Sequence, residues 1–176
     1  HPDIDLRILA TEKVSSFHGD GIDLAIRQGQ PPFGAALDAD LLFRQEIIAI
    51  AAPGLVEEYG LPLAPEVLAE LPKLHDSHGL WPGFLRQAGC EGRDVRGLQL
   101  NQTTLAIDAA LSGQGVALVA KFLVARDLAE GRLAQVLSMQ LDGHQDFYLL
   151  TQRRQRNSAT ASVRRWLLEK AASAGR

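Results

Sequence analysis

His75, Asp76 and His78 form the tightest cluster of side chains able to bind a metal or move a proton in this 176-residue sequence. A His-x-x-His spacing brings two imidazoles to one face of a helix, where a neighbouring carboxylate would complete a ligand set. The flanking residues oppose that geometry. PKLHDSHGLWP is rich in Pro, Gly and Ser, so the segment reads as a loop whose polar residues make structural contacts. No metal is expected, and His75 and Asp76 are left as candidates to line a cleft.

The second candidate is Asn101-Gln102-Thr103-Thr104, polar residues between a short apolar strand and an apolar helix. The first amides of a helix lack intrahelical acceptors, and the helix dipole adds positive potential there, so such an end can hold a carboxylate. Ordinary capping uses the same residue types and is the plainer reading of the segment alone. Gly113-Gln114-Gly115 is no phosphate cradle, because it closes a helix where a cradle must open one. The Gly-x-Ser-x-Gly elbow, the phosphate loop and the His-Glu-x-x-His helix are all missing, so no enzyme is expected.

Composition narrows the class further. A single cysteine, Cys90, excludes an internal disulfide and a cysteine-based metal cluster, and agrees with a reducing compartment. No run approaches the length of a membrane span, and the opening residues lack a signal-peptide pattern, so a cytoplasmic chain with no membrane partner is expected. With 18 Lys and Arg against 21 Asp and Glu, the chain lacks the footprint of a nucleic-acid binder. Its charge is uneven: from Thr151 onward seven basic residues face the single acid Glu169. Arg164, Arg165 and Lys170 lie on a helical pattern with Trp166, Leu167 and Leu168, and read as its solvated face.

The elements that must position these residues follow from periodicity. Ile4, Leu6 and Ile8 alternate with Asp5 and Arg7, predicting a strand, and residues 23–27 repeat the signal. Residues 41–51 predict one long strand closed by Pro53-Gly54. Helices are expected from Pro65, over 81–88, 103–112, 122–130 and 158–172; strands over 98–101, 116–120, 133–137 and 147–151. The alternation predicts an α/β fold with mixed, mainly parallel sheets. Two lobes are expected, residues 1–45 with 145–176 and residues 46–144, joined by crossing strands near 44–50 and 139–147, with a cleft between them.

In order and spacing, HPDIDLRI, DGIDLAIRQG, LHD with WPGFLRQAG, AIDAALSGQGVALVAKFLVARDLAEGRL, FYLL and VRRWLLEKA resemble the LysR-type regulators, near the glycine-cleavage and β-lactamase regulators. The resemblance spans nearly the whole chain. It implies an effector-binding domain with the two-lobed fold of type 2 periplasmic binding proteins. It further implies a small, anionic effector and no cofactor, a homodimer or tetramer in the intact protein, and DNA contacted only through an N-terminal helix-turn-helix. That helix-turn-helix, the linker helix, and the family's first effector-domain strand and helix are expected to be absent here. Carried over by position, the ligand would meet Arg27, Gln28, His75, Asp76, Gln102, Thr103, Thr104 and Lys121. The rival reading is a free-standing solute-binding protein of a transporter.

Overall fold

A computed structural model describes residues 3–11, 17, 19–91, 95–142, 145–154 and 157–174. In chain order the elements are β1 (Leu24–Gly29), β2 (Leu37–Phe43), β3 (Glu46–Ala51), α1 (Pro53–Val56), α2 (Pro65–Glu70), β4 (Lys73–His75), α3 (Trp81–Gln87) and β5 (Gly97–Gln99). They continue with α4 (Thr103–Leu111), β6 (Val116–Ala120), a 3-10 turn (Lys121–Val124), α5 (Ala125–Ala129), β7 (Ala134–Gln135), β8 (Leu141–Asp142), β9 (Asp146–Gln152) and α6 (Ser158–Ala174). None of these helices is long and apolar enough to cross a membrane. The chain divides into two compact units, residues 1–44 with 144–176 and residues 45–143. Within the expected crossing over 139–147, residues 143 and 144 lie outside the described residues.

The second unit holds a six-stranded sheet in the order β5-β4-β6-β3-β7, with β8 also paired to β3. Its strands alternate between two apolar layers. Ile47, Ala49 and Ala51 of β3 and Val116, Leu118 and Ala120 of β6 face Trp81, Phe84 and Leu85 of α3. Ile48, Ile50, Ala117 and Val119 face Ala106, Ala109 and Ala110 of α4. A strand covered on both faces needs apolar residues at every position, which is why EIIAIA and VALVA read as continuous runs. Gly115 is required by close approach, since a Cβ there would lie 2.6 Å from the Pro72 carbonyl oxygen, whose acceptor the Val116 amide uses at 2.8 Å.

The first unit holds a three-stranded antiparallel sheet in the order β1-β9-β2. Leu42, Leu149 and Ala171 form its small core, flanked by Leu24, Phe43, Leu167 and Leu168. Helix α6 is tied to β2 by the Arg164 guanidinium, which donates through Nε and Nη2 to the two Asp40 carboxylate oxygens at 2.8 and 2.6 Å. Arg164 is thus half-buried in an ion pair, while Arg165 and Lys170 are exposed as the sequence pattern suggested. Its partner lies 124 residues away and is invisible to periodicity.

Several expectations are corrected. The sheets are not mainly parallel: among the described residues only β4–β5 and β4–β6 pair that way. Strand β3 runs antiparallel to β6, β7 and β8. The predicted strand 41–51 is two strands in different sheets, with a register shift between Leu41 and Phe43 and a break before Glu46. Pro53 opens a helical turn, because its fixed φ suits a first helical position. The alternating residues 4–8 belong to neither sheet, since alternation specifies a strand but cannot supply its neighbour.

Candidate functional site

Strands β5, β4 and β6 are parallel neighbours, so their carboxyl ends share one edge of the second unit's sheet. In open α/β sheets that edge is where ligands gather, because helix N-termini converge on it. Six of the sequence-predicted residues fall there. His75 ends β4 and Asp76 follows it, Gln102 to Thr104 open α4 just beyond β5, and Lys121 follows β6.

The Thr103 hydroxyl donates to Asp76 Oδ2 at 2.7 Å, which ties the loop after β4 to the first turn of α4. Asp76 also closes its own loop. Its Oδ1 accepts the His78 amide at 3.0 Å, an Asx turn, and its Oδ2 lies 2.9 Å from His78 Nδ1. Burial of the carboxyl, whose side chain is only 7% exposed, pushes its proton affinity up. The Thr103 hydroxyl and the His78 amide and ring outweigh that effect and hold Asp76 below the usual carboxylate value.

Gln102 stands at the N-cap of α4 without a side-chain cap bond, and Gln102 and Thr104 are exposed. The opening amides of this nine-residue helix are thus not satisfied by the residue that usually serves them. Thr103, whose hydroxyl could have capped, instead holds Asp76. Lys121 places Nζ 3.8 Å from Glu46 Oε2, an exposed pair in which the cation stays open to water.

His75 points elsewhere. Consecutive strand residues face opposite sides, and while Asp76 reaches α4, the His75 ring is buried 6.4 Å from Trp81 on the α3 side. Its Nε2 has no hydrogen-bond partner among the described residues. Lys73, two residues earlier, is on the same side of β4, where its buried ammonium donates to the carbonyl oxygens of Ala69 and Leu71 at the end of α2. The two histidines of the His-x-x-His spacing thus serve different sides, and no group of three metal-ligating side chains occurs among the described residues.

Arg27 and Gln28 lie on β1 in the first unit, opposite Tyr148 and Phe147 of β9, and Gln28 Nε2 donates to the Gln145 carbonyl at 3.4 Å. His78 makes the structural loop contact expected of that segment. The sequence reading missed Glu46, which had no local signal, since its partner is 75 positions away by number and adjacent only through the β3–β6 pairing.

Residues 1–172 match the family described as LysR substrate binding domain. The chain is 30% identical over 176 residues to the glycine cleavage system transcriptional activator of Escherichia coli K12, covering 98% of this chain and 57% of that protein. It is 35% identical over 142 residues to the transcriptional regulator PtxR of Pseudomonas aeruginosa, covering 77% and 45% respectively. The chain therefore spans about half the length of these relatives. The effector domain of the transcriptional regulator AmpR of Pseudomonas aeruginosa superposes with a TM-score of 0.78 at 26% identity, over 98% of this chain and 83% of that one. The chain therefore belongs to the LysR family, of which it is an effector-binding domain, and that family is a non-enzymatic one.

Proposed function

We propose that this domain senses a small anionic metabolite for a cytoplasmic, DNA-binding regulator, and that Gln102, Thr103, Thr104 and Lys121 supply the acceptor-seeking groups. The observation that carries the reading is the α4 N-terminus, uncapped by Gln102 and anchored to the β4 loop through Thr103 and Asp76. Opening amides and the Lys121 ammonium favour a carboxylate or similar group by charge and by hydrogen bonding. Asp76 acts by positioning Thr103, and His75 by packing on Trp81 beneath the same strand end. Arg27 and Gln28 of the first unit are assigned to the same ligand by the family pattern alone.

Ligand binding shifts the population of domain arrangements, and a homodimer or tetramer of the intact regulator passes that shift to its helix-turn-helix domains. No covalent chemistry is involved. Hydrogen exchange of this chain with and without a panel of small carboxylic acids tests the proposal. Protection at residues 27–28 and 102–105 by one acid supports it; indifference to all of them, with the protein folded, counts against it. A helix-turn-helix encoded upstream of His1 in the parent gene would identify the regulator, whereas a secretion signal there would favour the transporter-linked reading.

A further inference from the structure

Lys121 and Glu46 meet where β6 ends and β3 begins. In the antiparallel pairing of these strands Ile47 faces Ala120, so Glu46 and Lys121, one residue further out on each, share the carboxyl edge that also holds Asp76. Glu46 Oε2 lies 3.8 Å from Lys121 Nζ, and the side chains are 40% and 51% exposed. Neither side chain makes a hydrogen bond or a second ion pair among the described residues. At that separation Glu46 supplies charge without a directed bond, and so open a pair does little for the fold. It changes the field outside the protein instead, because a carboxylate this close cancels most of the attraction that a lone ammonium exerts on an anion.

We propose that Glu46 is a specificity-determining residue of this edge: it masks the Lys121 ammonium, so that singly charged acids are admitted and doubly charged ones are turned away. The inference rests on the reading of the edge as the effector site. Along the ends of β4, β6 and β3 there is one lysine against two carboxylates, Glu46 and Asp76, and the oxygens of Asp76 are engaged by Thr103 and His78. A monoanion has the opening amides of α4 and the Lys121 ammonium to bind, and in taking the ammonium it replaces Glu46 with a shorter, directed bond. A second negative charge on the same ligand finds Glu46 released beside it and no further lysine to balance it. Selection of this kind works through a repulsive group, which discriminates against the wrong ligand more than it helps the right one.

Two measurements on the whole chain test this, and the first needs no ligand. Acetylation of Lys121 is followed by peptide mass spectrometry with an uncharged and with a sulfonated ester of the same acyl group, each rate referred to the exposed Lys170. The ratio of the two rates cancels the reactivity of the amine and reads the charge around it. Glu46→Gln is expected to raise the sulfonated-to-uncharged ratio about threefold at low salt, with the gain fading as salt is added. An unchanged ratio overturns the masking. The second measurement titrates butyrate and succinate, four-carbon acids of one and two charges, at neutral pH by NMR. The parent chain should prefer butyrate; Glu46→Gln should tighten succinate by about fivefold or more and butyrate by less, and adding Lys121→Gln should remove the gain. Equal gains for the two acids, or a parent chain that prefers succinate, overturns the selection by charge. If neither acid perturbs residues 102–104 in either chain while the acetylation ratio changes as expected, the masking stands, and the effector reading falls together with the selectivity built on it.

Discussion

Asp76 and Thr103, 27 positions apart, meet at 2.7 Å, with the Thr103 hydroxyl donating to a carboxylate whose side chain is 7% exposed. This bond joins the loop after β4 to the first turn of α4. A buried carboxylate that loses a donor keeps its desolvation cost, so the bond matters more to the fold than an exposed pair would. Thr103→Val, which keeps the shape and removes the hydroxyl, should lower stability by on the order of 1.5–3 kcal/mol in urea unfolding. An unchanged midpoint would show that water replaces the hydroxyl.

The same carboxyl predicts a pH dependence. Its proton affinity is lower in the folded than in the unfolded chain, the Thr103 hydroxyl and His78 outweighing burial. Its contribution is therefore full above the unfolded carboxylate value and is lost as pH falls through the lower, folded value. Stability should decline with acid over that range, and the decline should be shallower in Asp76→Asn than in the parent chain. Equal slopes would assign the acid sensitivity to other carboxylates.

Lys73 is a buried cation that closes the end of α2 by donating to the Ala69 and Leu71 carbonyl oxygens. Lys73→Met fills the space of the stem but leaves those carbonyls without their donor. The expected loss is about 1–3 kcal/mol, read by thermal or urea unfolding. A neutral or stabilising result would mean that the desolvation of the ammonium had cost as much as its bonds contributed.

Gly115→Ala tests the approach of β6 to the segment before β4. Its Cβ would stand 2.6 Å from the Pro72 carbonyl oxygen and 3.2 Å from Leu74 Cγ, and backbone cannot yield as a side-chain end can. Separation of the strands should cost about 1–3 kcal/mol. Gly83→Ala, where no heavy atom lies within 4 Å, is the matched control and should change little.

Effector contacts should separate from structural ones. Gln102 and Thr104 are exposed and Gln102 makes no cap bond, so Gln102→Ala and Thr104→Val should shift stability by less than about 0.5 kcal/mol. If they contact the ligand, both variants lose ligand-induced protection in hydrogen exchange while unfolding as the parent does. Retained protection in both would move the ligand away from the α4 end.

Contiguous residues determined a good deal by themselves. Val116 to Ala120 had to be a doubly covered strand, Gly113 and Gly131 had to end helices with φ values of 72° and 70°, and Trp81 had to begin a short amphipathic helix. The ordered motifs also named the family, since their spacing reflects the whole domain. Each of these is written in a local stretch of chain.

Tertiary structure alone decided the rest. It split the run 41–51 between two sheets, made most pairings antiparallel, and turned His75 to Trp81 while Asp76 went to α4. It also left residues 4–8 outside both sheets. Periodicity states which side of an element is apolar, but not which element will cover it. Pairing partners such as Asp40 and Arg164, or Asp76 and Thr103, are fixed only when the sheets have formed and bring distant residues within hydrogen-bond reach.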